Sequence, residues 1–145
     1  MTKIAKFTLL VLALLAAPLQ AAVVNPSEIQ AIYREWLQAY AERRPADAIA
    51  MTSDDFIMVN GQTLMDRVEA LAFQEGLAAF ILSRQCTDTL VAFKQLPQKN
   101  ALLLSRVDCL YQTVQGPLDA QLLETIIVNS KGEIIYNHFS DAPTP

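Results

Sequence analysis

The sequence predicts an α+β domain in which three helices precede a curved antiparallel sheet. Two observations support this prediction. Apolar side chains between residues 29 and 40 recur at the spacing of one helix face. After about residue 82, the chain is rich in β-branched, aromatic and leucine residues that are divided by short turns. Helices grouped ahead of a run of four strands indicate α+β architecture.

Residues 1–22 have the pattern of a cleaved export signal. Two lysines precede an apolar run over residues 7–17, and a proline breaks this run just before a pair of alanines. The run is shorter than the roughly 20 residues that span a bilayer. We therefore expect cleavage after Ala21 or Ala22, one domain over residues 23–145, no membrane anchor after cleavage, and a secreted or periplasmic location.

The composition excludes several classes of function. The chain has 11 Lys+Arg against 15 Asp+Glu, and loss of the two signal lysines gives a net charge near −6. The basic residues are scattered, so we expect no nucleic-acid partner. The chain has one histidine, no glycine-rich phosphate loop and no cluster spaced for a metal. We expect neither a metal nor a cofactor.

The helices are predicted from their start signals and apolar stripes. Ser27 and Gln30 have the spacing of a capping box, and an apolar face follows them. That face is formed by Ile29, Ile32, Tyr33, Trp36, Leu37 and Tyr40. Pro45 fits the start of a second helix over roughly 45–52, and residues 64–80 are typical of a third. Between these two helices, Asp54 and Asp55 are interpreted as a turn before a short strand over residues 56–59.

Four strands are predicted over residues 83–95, 101–115, 119–129 and 133–140. Short turns between them favour an antiparallel meander. If the first hairpin turns about Pro97 and Gln98, Cys86 lies directly opposite Cys109. Directly opposed residues are close enough for a disulfide, and an exported protein favours one. The alternative is two reduced, buried thiols, and a register shift would also separate them.

The order and length of these elements resemble the nuclear transport factor 2-like superfamily, which includes ketosteroid isomerases and SnoaL-like polyketide cyclases. The first helix and the segment 43–56 look like the opening of that family. The ending over residues 132–143 contains His138, Ser140, Ala142 and Pro143 in an H-x-S-x-A-P pattern. This pattern is similar to the end of the association domain of calcium/calmodulin-dependent protein kinase II. The resemblance implies a cone-shaped fold with a pocket between the first helix and the concave sheet, and frequent dimerisation through the outer sheet face.

The predicted pocket takes aromatic residues from the helix stripe and polar residues from the strands. Its expected lining is Tyr33, Trp36, Tyr40, Phe56, Met58, Arg106, His138 and Ser140. Arg84 and Arg106 are the candidates for an anionic group of the ligand, because guanidinium binds carboxylates in a bidentate way. The aromatic residues also fit a plain core, and either arginine also fits an exposed or paired surface site.

The sequence contains no recognisable catalytic set. The resemblance to ketosteroid isomerases implies an Asp base just before Gly61, but residues 56–60 contain no carboxylate. No Gly-x-Ser-x-Gly elbow is present. The remaining acid–base candidates are His138 and Asp108. In the alternative interpretation, His138 is a structural residue and Asp108 pairs with Arg106 on an exposed strand face.

The sequence therefore predicts an exported, non-catalytic domain that binds a small molecule in its cone or a protein partner. One alternative is an isomerase- or cyclase-type enzyme that uses the same pocket. Another is a periplasmic immunity- or inhibitor-type protein. The apolar segments 102–104 and 122–128 place side chains on both strand faces, which favours a homodimer.

Overall fold

The computed structural model describes residues 25–142, so the predicted export signal and its cleavage site lie outside the described residues. The helices are α1 (Pro26–Ala41), α2 (Pro45–Ala50) and α3 (Arg67–Phe80). The strands are β1 (Thr52–Asn60), β2 (Thr63–Met65), β3 (Ile81–Gln95), β4 (Ala101–Thr113), β5 (Gly116–Val128) and β6 (Ile134–Asp141). None of the helices within this range is long and apolar enough to cross a membrane.

Two helix starts differ from the prediction. The cap of α1 is Asn25, whose side-chain oxygen accepts from the backbone N–H of Ser27 at 3.0 Å, so the predicted capping box is wrong. A capping box is present instead at α3, between Asp66 and Glu69. Helix α3 also begins later than predicted, because residues 63–65 pair with β1 as a short strand.

The six strands form one sheet in the order β2-β1-β6-β5-β4-β3. The predicted meander is confirmed, because β3, β4, β5 and β6 pair antiparallel in sequence. The sheet is mixed, however, because β1 lies parallel to β6. Asp54 and Asp55 lie within β1 rather than in a turn, since pairing with β6 extends that strand beyond its apolar centre.

The disulfide between Cys86 and Cys109 is confirmed, with 4.2 Å between the two Cα atoms. The predicted register holds over this part of the hairpin but fails next to the turn. Gln95 pairs with Ala101 there, one residue out of the predicted register. A bulge at Val91 inserts one extra residue into β3 and restores the predicted pairing from Leu90 onwards. The one-residue offset at the turn and the one-residue bulge therefore cancel, and Cys86 lies opposite Cys109 as predicted.

The sheet has an inner face covered by the helices and an outer face that none of the helices in residues 25–142 covers. The largest fully buried side chains lie between the helices and the inner face, and they include Trp36, Tyr33, Phe56, Met58 and Leu103. Strand β4 shows the alternation most clearly, because its odd-numbered residues from Ala101 to Cys109 are buried and its even-numbered neighbours are more exposed. This alternation decides which polar side chains can reach a cavity under the helices.

Candidate functional site

A cavity of about 70 Å³ lies between the helices and the inner sheet face. Its walls are Trp36, Tyr40, Ala41, Arg43, Pro45, Gln74, Leu77, Ala78, Ile81, Ser83, Arg84, Tyr111, Leu122, Glu124 and Phe139. The exposed Arg43 also lines an outer groove, so the cavity meets the surface near the ends of α1 and α3. Its volume is below the roughly 300–1,000 Å³ of typical small-molecule sites, and the ligand that it suits without rearrangement is small.

A buried carboxyl group forms the polar end of this cavity. Glu124 on β5 is 5% exposed, and it accepts hydrogen bonds from the Tyr33 hydroxyl at 2.5 Å and from Asn137 Nδ2 at 2.9 Å. Burial raises the pKa of Glu124 above its ordinary value, against the lowering effects of the Tyr33 hydrogen bond and of Arg84. The protonated form is therefore favoured up to a higher pH than for a free glutamate.

Two side chains in the cavity wall have buried donors with no hydrogen-bond partner among residues 25–142. These donors are the indole N–H of Trp36 and the hydroxyl of Tyr40. Their rings pack edge to face with 4.8 Å between centroids, which fixes both positions. Burial, followed by the neighbouring Glu124, raises the pKa of Tyr40. Arg84 and the Trp36 indole N–H lower it by less, and that N–H lies near the hydroxyl without forming a well-aligned hydrogen bond. The Tyr40 hydroxyl therefore keeps its proton at neutral pH. A ligand acceptor placed here would satisfy donors that otherwise cost about 1–3 kcal/mol each.

Arg84 places a positive charge between two aromatic rings of the cavity wall. It lies on β3 opposite Tyr111, and its guanidinium carbon is 5.9 Å from the ring centroid of Tyr40 and 5.7 Å from that of Tyr111. Cation–π contacts at these distances hold the group between the two rings. The cavity therefore combines aromatic walls, the guanidinium of Arg84 and one buried acid.

Several solved structures share this architecture. They include a protein from Streptomyces avermitilis named as a candidate dehydratase of the NTF2-like family, with a TM-score of 0.71, 13% identity, and coverage of 81% of this chain and 96% of that one. A candidate calcium/calmodulin-dependent protein kinase II association domain from Xanthomonas campestris gives a TM-score of 0.70 at 17% identity, with coverage of 81% and 88%. A ketosteroid isomerase-like protein from Erwinia carotovora atroseptica gives 0.69 at 13% identity, with coverage of 81% and 96%. The fold is nuclear transport factor 2-like. No protein-family model and no curated protein matches the sequence.

The nuclear transport factor 2-like cone places five of the predicted pocket residues on its inner side, in different roles. Trp36 and Tyr40 line the cavity. Tyr33 is fully buried behind it and reaches the cavity through Glu124. Phe56 and Met58 are fully buried in the core, and they are not among the cavity walls.

The other three predicted pocket residues lie on the outer face, so their assignment to the pocket is wrong. Arg106 bonds Gln121 at 2.9 Å there and lies 3.5 Å from Asp108. His138 and Ser140 pair with the outward residues of β5. A bulge at Ile135 causes this orientation, because the extra residue reverses the alternation that starts from the buried Ile134.

The proposed acid–base pair of His138 and Asp108 is also wrong. His138 pairs with Thr125 on β5, and Asp108 pairs with Gln121 on the same strand. The two residues are thus two strands apart across the sheet and four residues apart along it. Strand spacing and rise place them about 16 Å from each other, which is too far for proton transfer between them. Within residues 25–142, no three metal-binding side chains of the His, Cys, Asp or Glu type lie together.

Sequence reasoning missed Glu124, Asn137 and Tyr111. A signal for Glu124 was present, because its position alternates with Leu122, Ile126 and Val128 in an apolar strand. An acidic residue on the strand face that otherwise carries apolar side chains is expected to be a buried carboxylate. Buried carboxylates are enriched at functional sites. Asn137 is also a polar residue on the inner face. Simple alternation from Ile134 would have placed it on the outer face, and only the bulge at Ile135 turns it inward.

Proposed function

We propose that this domain binds a small organic molecule in the cavity between α1, α3 and the inner sheet face. The observation that supports this proposal is the pair of buried, unpartnered donors on Trp36 and Tyr40 in a wall that also contains Glu124. Native proteins rarely leave such donors unsatisfied. A bound molecule with an acceptor group would satisfy them, while its apolar part would contact the aromatic walls.

We also propose that the mature domain works outside the cytoplasm. The pattern of residues 1–22 supports export, and the Cys86–Cys109 disulfide is typical of an oxidising compartment. The outer sheet face supports a homodimer. Its apolar side chains, which include Leu102, Leu104 and Ile127, are only half-buried. An apolar sheet face that the described helices leave uncovered favours association.

Native mass spectrometry of the mature protein purified from periplasm tests the cavity proposal. We expect a ligand mass that is retained under gentle conditions and lost on denaturation, and a dimer appears in the same spectra at twice the subunit mass. Ala78→Leu, which fills the cavity, should abolish retention. Ala79→Leu is the matched control, because Ala79 is exposed on the same helix and lies outside the cavity walls, and both changes cost little helix propensity.

Equal retention by the two leucine variants would contradict binding in this cavity. A clean protein mass for the wild type would also contradict it and would direct the search to a protein partner.

A second candidate function is acid–base catalysis of the isomerase, cyclase or dehydratase type. The specific observation is Glu124, a buried carboxyl whose raised pKa makes it a proton donor closer to neutral pH. Tyr33 and Asn137 fix its orientation. Similar structures carry dehydratase and ketosteroid isomerase-like names, at identities that establish the shared fold alone.

The Glu124→Gln variant tests catalysis. The molecule identified by mass is incubated with each protein, and its conversion is followed by chromatography. We expect Glu124→Gln to retain the ligand and to lose conversion by at least a hundredfold, because the amide has the same shape but cannot transfer a proton. Conversion at the wild-type rate by this variant would exclude Glu124 as the acid or base.

A further inference from the structure

Arg84 differs from every other described arginine in its contacts. The other five arginines in residues 25–142 each contact a carboxylate or a backbone carbonyl, and they are Arg34, Arg43, Arg44, Arg67 and Arg106. Arg84 has no carboxylate within 4 Å in this part of the chain. Its Nε lies 3.1 Å from Cys86 Sγ, a weak acceptor, and its two terminal nitrogens have no hydrogen-bond partner among the same residues.

The position of Arg84 is fixed although no carboxylate of residues 25–142 forms an ion pair with its guanidinium. Tyr40 and Tyr111 flank the guanidinium, and its Nε contact with the disulfide sets its rotation. A half-buried cation without an anion is unfavourable, and the two rings offset only part of that cost. The fork of terminal N–H groups is thus left free in a cavity wall, in the arrangement that binds a planar anion in a bidentate way.

The cavity wall has two other charged side chains, Glu124 and Arg43. Glu124 does not form an ion pair with Arg84, and Arg43 does not compete with it for an anion. Both oxygens of Glu124 are occupied by Tyr33 and Asn137, and burial favours its neutral form, which lowers its repulsion toward an anion. Arg43, the other arginine of the cavity wall, donates from Nε and from a terminal nitrogen to the carbonyl of Ala78. Its fork is therefore already engaged.

We infer that the guanidinium of Arg84 binds a carboxylate, or another planar anionic group, of the molecule that occupies the cavity. This inference rests on the proposed cavity function, and it narrows the ligand to a small organic anion. The aromatic walls contact the carbon skeleton, and the donors of Trp36 and Tyr40 bind a second polar group.

Matched pairs of fluorinated probes test the inference by ¹⁹F NMR titration of the mature, disulfide-bonded protein. The pairs are 4-fluorobenzoate with 4-fluorobenzamide, and the smaller 3,3,3-trifluoropropionate with its amide. We expect each carboxylate to bind at least tenfold more tightly than its amide. Arg84→Gln should remove this preference. It should lower the affinity for each carboxylate at least tenfold and leave the affinity for each amide within twofold of the wild-type value.

Arg106→Gln is the matched control, since it removes the same charge from a half-exposed strand position on the outer face. It should leave all four affinities within twofold. Arg84→Lys keeps the charge without the fork and should give intermediate carboxylate affinity. Circular dichroism and the thermal midpoint confirm that each variant is folded.

Equal binding of carboxylate and amide by the wild type would overturn the inference and leave the cavity function intact. A preference that survives Arg84→Gln would overturn it as well. Absence of binding for all four probes would overturn the inference and the proposed cavity function together.

Discussion

Replacement of Glu124 by alanine is expected to lower the free energy of unfolding by about 3 kcal/mol. The truncation leaves the Tyr33 hydroxyl and Asn137 Nδ2 as buried donors without an acceptor, since both now bond to the Glu124 oxygens. Each such donor costs roughly 1–3 kcal/mol, and the removed atoms leave a void. The alanine variant no longer has to bury a carboxyl group away from water, and this saving offsets part of the loss. Urea unfolding at pH 7 measures the difference.

Glu124→Gln is the matched control for this loss, and we expect it to fall within about 1 kcal/mol of the wild type. Tyr33 can donate to the amide oxygen. The side-chain oxygen of Asn137 has no partner among residues 25–142, so rotation of that amide lets it accept from the new NH₂ group. If the alanine variant proves as stable as the glutamine variant, the hydrogen bonds of Glu124 do not stabilise the fold.

The difference in stability between the wild type and Glu124→Gln should depend on pH, and the direction of that dependence follows from the pKa of Glu124. Burial raises the folded-state pKa of Glu124 above its ordinary value near 4.5. The folded state therefore holds the proton more tightly, and this contribution to stability is present below pH 4.5 and is lost as pH rises through the folded-state pKa. The wild type should become less stable relative to Glu124→Gln as pH rises from 4 to 8. A constant difference across this range would contradict a raised pKa.

Local sequence patterns predicted most of the fold. The helical stripe from Ile29 to Tyr40 and the four strands after residue 82 follow from periodicity, because side chains three to four apart share a helix face and alternate residues share a strand face. The parallel pairing of β1 with β6 does not follow. It joins Ile57 to Tyr136, residues far apart in sequence, and no local pattern specifies such a contact. The extra length of β1 depends on this pairing.

The candidate site was predicted less well, since it depends on the face to which each strand residue points. A single inserted residue reverses that face. The bulge at Ile135 moved His138 and Ser140 to the outer face, and it brought Asn137 against Glu124. On the helix side, Trp36 and Tyr40 line the cavity, because α1 is a continuous α-helix and its apolar stripe keeps its period. Of the two arginines that were predicted as candidates to bind an anionic group, Arg84 lines the cavity and Arg106 lies on the outer face.

Removal of the Cys86–Cys109 disulfide is expected to cost about 3 kcal/mol of unfolding free energy. The bond joins residues 23 apart in sequence, and closing a loop of that length restricts the unfolded chain by roughly this amount. It also links the edge strand β3 to β4 at the middle of their hairpin. Urea unfolding of the Cys86→Ala, Cys109→Ala double variant measures the loss.

The denaturant dependence separates an effect on the unfolded chain from damage to the folded one. The double variant should unfold with a larger m-value than the oxidised wild type, because its unfolded chain is more expanded and exposes more surface. Reduced wild type, which keeps both sulfur atoms, should lose a similar amount of stability. If only the double variant loses stability, the cause is the void left beside Cys109, which is 2% exposed, and the crosslink itself contributes little. Equal stability of all three proteins would show that the β3–β4 pairing holds the hairpin without the bond.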